Sequence, residues 1–168
     1  SIGGKKAGSF GDVSATSFYP AKPLGCYGDG GAIFTDDSDL AQKMTSIRVH
    51  GAGVNKYQNV RVGLNGRLDT IQAAILLEKF NIFEDELISR NTIADYYKNN
   101  INSNFITPPF IPKNYTSSWA QFSLLASNEF ERKRILNEFS LQKIPTAIFY
   151  SIPLHLQKVF KNLNYKKN

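Results

Sequence analysis

The chain has 168 residues, 42% of them hydrophobic and 20% charged, a balance that suits one or two small soluble domains. No apolar run is long enough to cross a bilayer, and one cysteine, Cys26, rules out an internal disulfide framework and fits a reducing, cytoplasmic compartment. A formal charge of +6 raises nucleic acid as a partner, but the lysines are scattered and the one dense pair, Lys166-Lys167, sits at the extreme end. An anionic small molecule or a solvated surface accounts for the charge instead, with no nucleic-acid or membrane partner.

Residues 1–11 are rich in glycine and lysine and read as a loop. A strand-like run from Asp12 to Tyr19 and another from Gly31 to Thr35 enclose Pro20-Ala21-Lys22-Pro23 and the glycines Gly25, Gly28, Gly30 and Gly31. Lys22 stands between two prolines that disfavour helix, so the pattern displays it on an extended, stiff backbone at the edge of a sheet. Such a placement suits a nucleophilic amine. From spacing alone, however, a solvated lysine in a glycine turn is the commoner reading, because burial activates such an amine and a sequence does not display burial.

Downstream, Asp36-Asp37-Ser38-Asp39 offers N-caps for a helix over about 38–48, in which Leu40, Met44 and Ile47 recur at helical spacing. His50-Gly51-Ala52-Gly53 ends it, and a polar loop runs to Asn65. Asp69 can cap a next helix whose Ile71, Ala74, Ile75 and Leu77 read as mostly buried. The apolar pattern continues through Leu87, Ile93 and Tyr97 to about Asn100, a long helical connector. Pro108, Pro109 and Pro112 then break the chain. Ser118–Ala126 reads as a strand, Asn128-x-x-Glu131 as a capping box for a helix through Phe139, Ile144–Tyr150 as a strand and Leu156–Phe160 as a short helix. Strand, helix and strand suggest a small α/β domain.

Ser17-x-x-Pro20-x-Lys22-x-x-Gly25, followed by Gly28-Asp29-Gly30-Gly31-Ala32, resembles the signature of the DegT/DnrJ/EryC1/StrS family of pyridoxal-phosphate (PLP) sugar aminotransferases. The likeness continues through Arg48-x-His50-Gly51, Gly63-x-Asn65-x-Arg67-Leu68-Asp69, Gln72-Ala73-Ala74, Ser118-Trp119, Pro153-Leu154-His155-Leu156-Gln157 and Leu163-x-Tyr165, nearly end to end. It implies an α/β, type I (aspartate aminotransferase-like) fold, with residues 1–82 as part of the large PLP-binding domain. Residues 83–168 would be the connector helix and an incomplete small domain. Against the family pattern an N-terminal portion and a C-terminal tail are absent, and with them the partners of the pyridine nitrogen and ring. The chain therefore reads as an internal fragment that alone would hold PLP weakly and turn over little.

The resemblance also assigns roles. Lys22 would form the internal aldimine with PLP and shuttle the proton, and Ser17 would hydrogen-bond the cofactor phosphate. Asn65 would reach the phosphate of the neighbouring subunit, so the site would be shared across a homodimer; an ordinary turn asparagine is the alternative. Tyr27 would shape the loop near cofactor and substrate, and His155 would line the substrate side, a structural histidine being equally open. Arg67 and Asp69 suit a local ion pair and helix cap, and Trp119 suits the core. The expected reaction moves an amino group from an amino acid such as glutamate to a nucleotide-linked keto sugar, UDP-linked and 3- or 4-keto, for surface polysaccharide (lipopolysaccharide) or aminosugar synthesis. A sugar dehydratase of the same family is an alternative that Lys22 argues against, since dehydratases of this kind carry histidine there; a PLP-sensing regulator and a non-catalytic interaction piece are others. No metal-ligand spacing, serine-hydrolase elbow or nucleotide P-loop appears.

Overall fold

Glycine-rich turn chemistry between two β-prone runs gives a hairpin, and the computed structural model of the chain, which describes residues 1–55 and 57–166, contains it. Strand β1 (Ser14–Ser17) pairs antiparallel with β2 (Gly31–Phe34), with Ser14 opposite Phe34 and Ser17 opposite Gly31. Lys167, of the terminal basic pair, lies outside the described residues.

Helix α1 spans Ser38–Arg48, and Asp37 caps it by accepting the N–H groups of Asp39 at 2.8 Å and Leu40 at 3.0 Å. Those donors have no partner inside the helix, so Asp37→Ala is expected to cost about 1 kcal/mol, read as a lower denaturant midpoint. At the other end His50 takes a left-handed backbone (φ 59°) and Gly51 N–H returns to Ser46 O at 2.8 Å, closing the helix as expected of His50-Gly51.

Helix α2 (Thr70–Asn81) follows, and after a break at Ile82 comes α3 (Phe83–Asn100). Asp69 occupies the N-cap of α2 without making a side-chain cap bond, contrary to expectation. The expected burial of α2 also fails: Leu76 is buried, but Ile71 is 73% and Leu77 69% exposed, Ala74 is exposed and Ile75 only half-buried. Its apolar residues extend round more of the helix than one stripe, and this chain covers one stripe.

The chain divides into two compact units. The first, Ser1–Ser103 with Pro108–Leu125, holds the hairpin and α1–α3. Within it the segment after Ser117 lies against α3. Trp119 is buried as the sequence suggests, its indole N–H donating to Asn91 Oδ1 at 3.0 Å, and its carbonyl accepts from Arg90 at 3.2 Å. Trp119 has φ 48°, a left-handed turn that breaks the expected strand over Ser118–Ala126; only β4 (Leu125–Ala126) forms.

The second unit, Asn104–Thr107 with Ala126–Asn168, contains β3 (Ile106–Thr107) and α4 (Glu129–Leu141). Asn128 caps α4 by accepting Glu131 N–H at 2.9 Å, half of the expected capping box, while the Glu131 carboxylate pairs with Arg134. Ile144–Tyr150 is not a strand: Pro145 removes a ladder donor and no partner strand faces it among the described residues. The expected helix at Leu156–Phe160 is two 3-10 turns, Leu154–Leu156 and Lys158–Leu163. No helix among the described residues is long and apolar enough to cross a membrane.

Candidate active site

The loop joining β1 to β2 is closed at its neck. Phe18 donates its N–H to Gly30 O at 2.8 Å, and its carbonyl accepts Cys26 N–H at 2.8 Å. The Cys26 thiol, fully buried, lies between two carbonyls, at 3.0 Å from Phe18 O and 3.1 Å from Gly28 O. This folding-back depends on Gly25, where a β-carbon would stand 2.6 Å from Tyr19 O. Cys26, which the sequence offers only as a guide to redox compartment, is thus the pin of the loop.

Lys22 sits on the outer limb. Its N–H donates to Tyr19 O at 2.8 Å, closing a turn with Pro20 in the second position, where a fixed φ favours turning. The lysine therefore ends a tight turn rather than lying on an extended backbone. Ser17, the last residue of β1, accepts Tyr19 N–H on its hydroxyl oxygen at 3.2 Å and retains its own proton for donation.

Ser17 and Lys22 open onto one cleft of about 1000 Å³ between the hairpin and α2, with Lys6, Leu76, Phe80 and Ser118 also on its walls. One amine, several hydroxyls and a second lysine around an apolar floor form a donor set suited to a small anionic ligand bearing a carbonyl. A second cleft of about 1110 Å³ lies between the hairpin and α1, lined by Met44, Ile47 and Phe34, and it includes Lys6 but not Lys22 or Ser17.

The other expected site residues stand elsewhere. Asn65 pairs with Val49 in an antiparallel bridge and borders neither cleft. Its Oδ1 accepts Arg67 Nε–H at 3.0 Å, and no Arg67–Asp69 ion pair forms among the described residues, because Arg67 turns to Asn65 instead. Tyr27 is 75% exposed; its backbone N–H donates to Gln72 Oε1 at 2.8 Å and its ring lies 5.8 Å from the Lys79 ammonium. His155 belongs to the second unit, exposed and edge-on to Tyr165 at 5.8 Å. Sequence reasoning assigned no role to Gln72, Lys6 or Ser118. For Gln72 the available signal is its place in the Gln72-Ala73-Ala74 run that carries part of the family resemblance.

A family model describing the DegT/DnrJ/EryC1/StrS aminotransferase family matches residues 1–168, the full length of the chain. The chain belongs to this family. Among its DegT/DnrJ/EryC1/StrS relatives is the UDP-2-acetamido-2-deoxy-3-oxo-D-glucuronate aminotransferase of Pseudomonas aeruginosa, 44% identical over 154 residues, 92% of this chain and 42% of that protein. Among solved structures, a DegT DnrJ EryC1 StrS aminotransferase from Brucella abortus superposes with TM-score 0.89 at 48% identity, over 95% of this chain and 42% of that one. NtdA from Bacillus subtilis, solved with bound cofactor PMP, superposes with TM-score 0.85 at 27% identity, over 98% of this chain and 39% of its own. The fold is thus the expected α/β, type I class, and the chain spans less than half the length of the relatives it matches.

Proposed function

We propose that this chain carries the lysine-bearing part of the active site of a PLP-dependent nucleotide-sugar aminotransferase. The reaction exchanges the amino group of an amino acid, glutamate being the natural donor, for the oxygen of a keto sugar, so that a keto acid and an amino sugar leave. The observation that carries this reading is the opening of Lys22 and Ser17 onto one cleft in a chain that matches the aminotransferase family throughout. A UDP-linked 3-keto sugar is the proposed acceptor, supported by the name of the 44% identical relative.

The cleft's donor set fits PLP, which supplies an electron sink when bound. Lys22 Nζ would hold the cofactor through its carbonyl carbon, and the same amine, in its neutral form, would take and return the substrate Cα proton. The Ser17 hydroxyl donates to the phosphate, and Lys6 adds positive charge on the same cleft. We assign Asn65 to the phosphate of a second copy, through its amide NH₂ because Arg67 already occupies Oδ1. Tyr27 and His155 are assigned to the substrate side, and the division at residues 82/83 to the junction of large domain and connector. The proposed setting is a cytoplasmic homodimer feeding surface-polysaccharide or aminosugar synthesis.

The test is reductive trapping. Borohydride added to the full-length protein with PLP should fix the cofactor to the peptide containing Lys22. Label on another lysine, or none, would remove the proposal.

A further inference from the structure

Gln72 is the third residue of α2, three after the N-cap Asp69. A glutamine there ordinarily reaches back to the N-cap N–H, the second half of a capping box. Here the box is not made: Asp69 makes no cap bond, and Gln72 Oε1 accepts the N–H of Tyr27, 45 residues earlier, at 2.8 Å. The amide also abuts Gly28, whose added β-carbon would stand 3.1 Å from Gln72 Nε2. Two helical turns on, Lys79 lies 5.8 Å from the Tyr27 ring. A local rule is broken and its acceptor spent on a distant loop, the pattern expected where function sets the residue.

We propose that Gln72 is a positioning residue for Lys22, latching the inner limb of the Lys22 loop to α2 and so fixing where the amine stands beside Ser17. The latch acts through Tyr27 and Gly28, which directly follow the Cys26 pin, and the pin joins both limbs at Phe18. This rests on the role proposed for Lys22. Its test, however, has a readout independent of cofactor, because Cys26 lies fully buried under the latched limb and its alkylation is read on its own peptide by mass spectrometry.

The experiment compares Gln72→Met, of similar length without the acceptor, with Gln72→Glu, which keeps it, in the full-length protein. Without cofactor, Gln72→Met should raise the rate of Cys26 alkylation by iodoacetamide about fivefold, the loss of one hydrogen bond from a local opening, and Gln72→Glu should restore it. With PLP, Gln72→Met should slow borohydride trapping at Lys22 and shift its pH dependence, Gln72→Glu again restoring both. Unchanged alkylation, or Gln72→Glu behaving like Gln72→Met, overturns the latch. Raised alkylation with unaltered Lys22 trapping leaves a structural bond only and overturns the positioning role. Absence of trapping at Lys22 in the unsubstituted protein removes the aminotransferase reading and the positioning role with it, while the cofactor-free arm still scores the latch.

Discussion

Lys22→Ala in the full-length protein is expected to lower the transamination rate by roughly 10³-fold or more while leaving the fold intact. The side chain is exposed, so its removal leaves no cavity. On the proposed chemistry what is lost is the amine that holds the cofactor carbonyl and moves the substrate proton, and positioned proton transfer alone is worth about 10²–10⁴-fold. Lys22→Arg sharpens the test. Guanidinium keeps the positive charge and length but stays protonated at any working pH, so it can neither attack nor accept a proton. If Lys22 served only as a cation for the phosphate, Lys22→Arg would retain most activity. On the proposed chemistry it should be as inactive as Lys22→Ala. Steady-state rates of amino-sugar formation, with circular dichroism to verify folding, decide the matter.

The second large effect is one of stability. The segment carrying Asn65 lies across the end of α1: Leu64 donates to Ile47 O at 2.8 Å, His50 to Leu64 O at 3.0 Å and Gly66 to Arg48 O at 2.9 Å. The two backbones approach so closely at Gly63 that a β-carbon there would fall 2.0 Å from Gly51 N and 2.4 Å from His50 C. From the other side, a β-carbon at Gly51, which has φ 75°, would fall 1.8 Å from Arg61 O. Both obstacles are main chain, and no rotamer change relieves them. Gly63→Ala should therefore cost about 3 kcal/mol, by forced overpacking, and displace Asn65 with the strand segment. Gly11→Ala is the control, since its β-carbon would meet only Val13 O at 3.7 Å, an ordinary contact; it should stay within about 0.5 kcal/mol of the parent. Denaturant midpoints of the two variants should differ widely. Equal midpoints would mean that the crossing yields without strain.

The elements legible in the sequence are those specified by near neighbours. Asp36-Asp37-Ser38-Asp39 with Leu40, Met44 and Ile47 marks α1 over about 38–48, as found, because cap and stripe are both local signals; which of the four caps it, Asp37, the structure decides. The hairpin follows from glycines between two β-prone runs, and Asn128 marks α4 for the same reason. The failures are non-local. Ser118–Ala126 has strand composition, yet Trp119 turns so that its indole meets Asn91, a partner 28 residues away that no window reveals. Ile144–Tyr150 has strand composition without a strand to join. The expected burial of Ile71, Ala74 and Leu77 on α2 fails for the same reason: apolar side chains mark a preference for burial, while what would cover them is not local to the helix, and here only Leu76 is buried. At the site, Lys22 and Ser17 were identifiable by resemblance and share a cleft, whereas Gln72 disclosed itself only through the partner it holds.

The closed neck at Phe18 has an evolutionary consequence. Both limbs of the Lys22 loop leave and re-enter the sheet at one bonded point, between Phe18 and Gly30. With Gly25 and Cys26 kept to close the neck, the register of β1 against β2 is insulated from the identity of the exposed residues of this loop. Mutational drift at those exposed positions can reshape the rim around the amine without a shift propagating into the strands. A scaffold whose relatives carry different substrate names is well served by such decoupling.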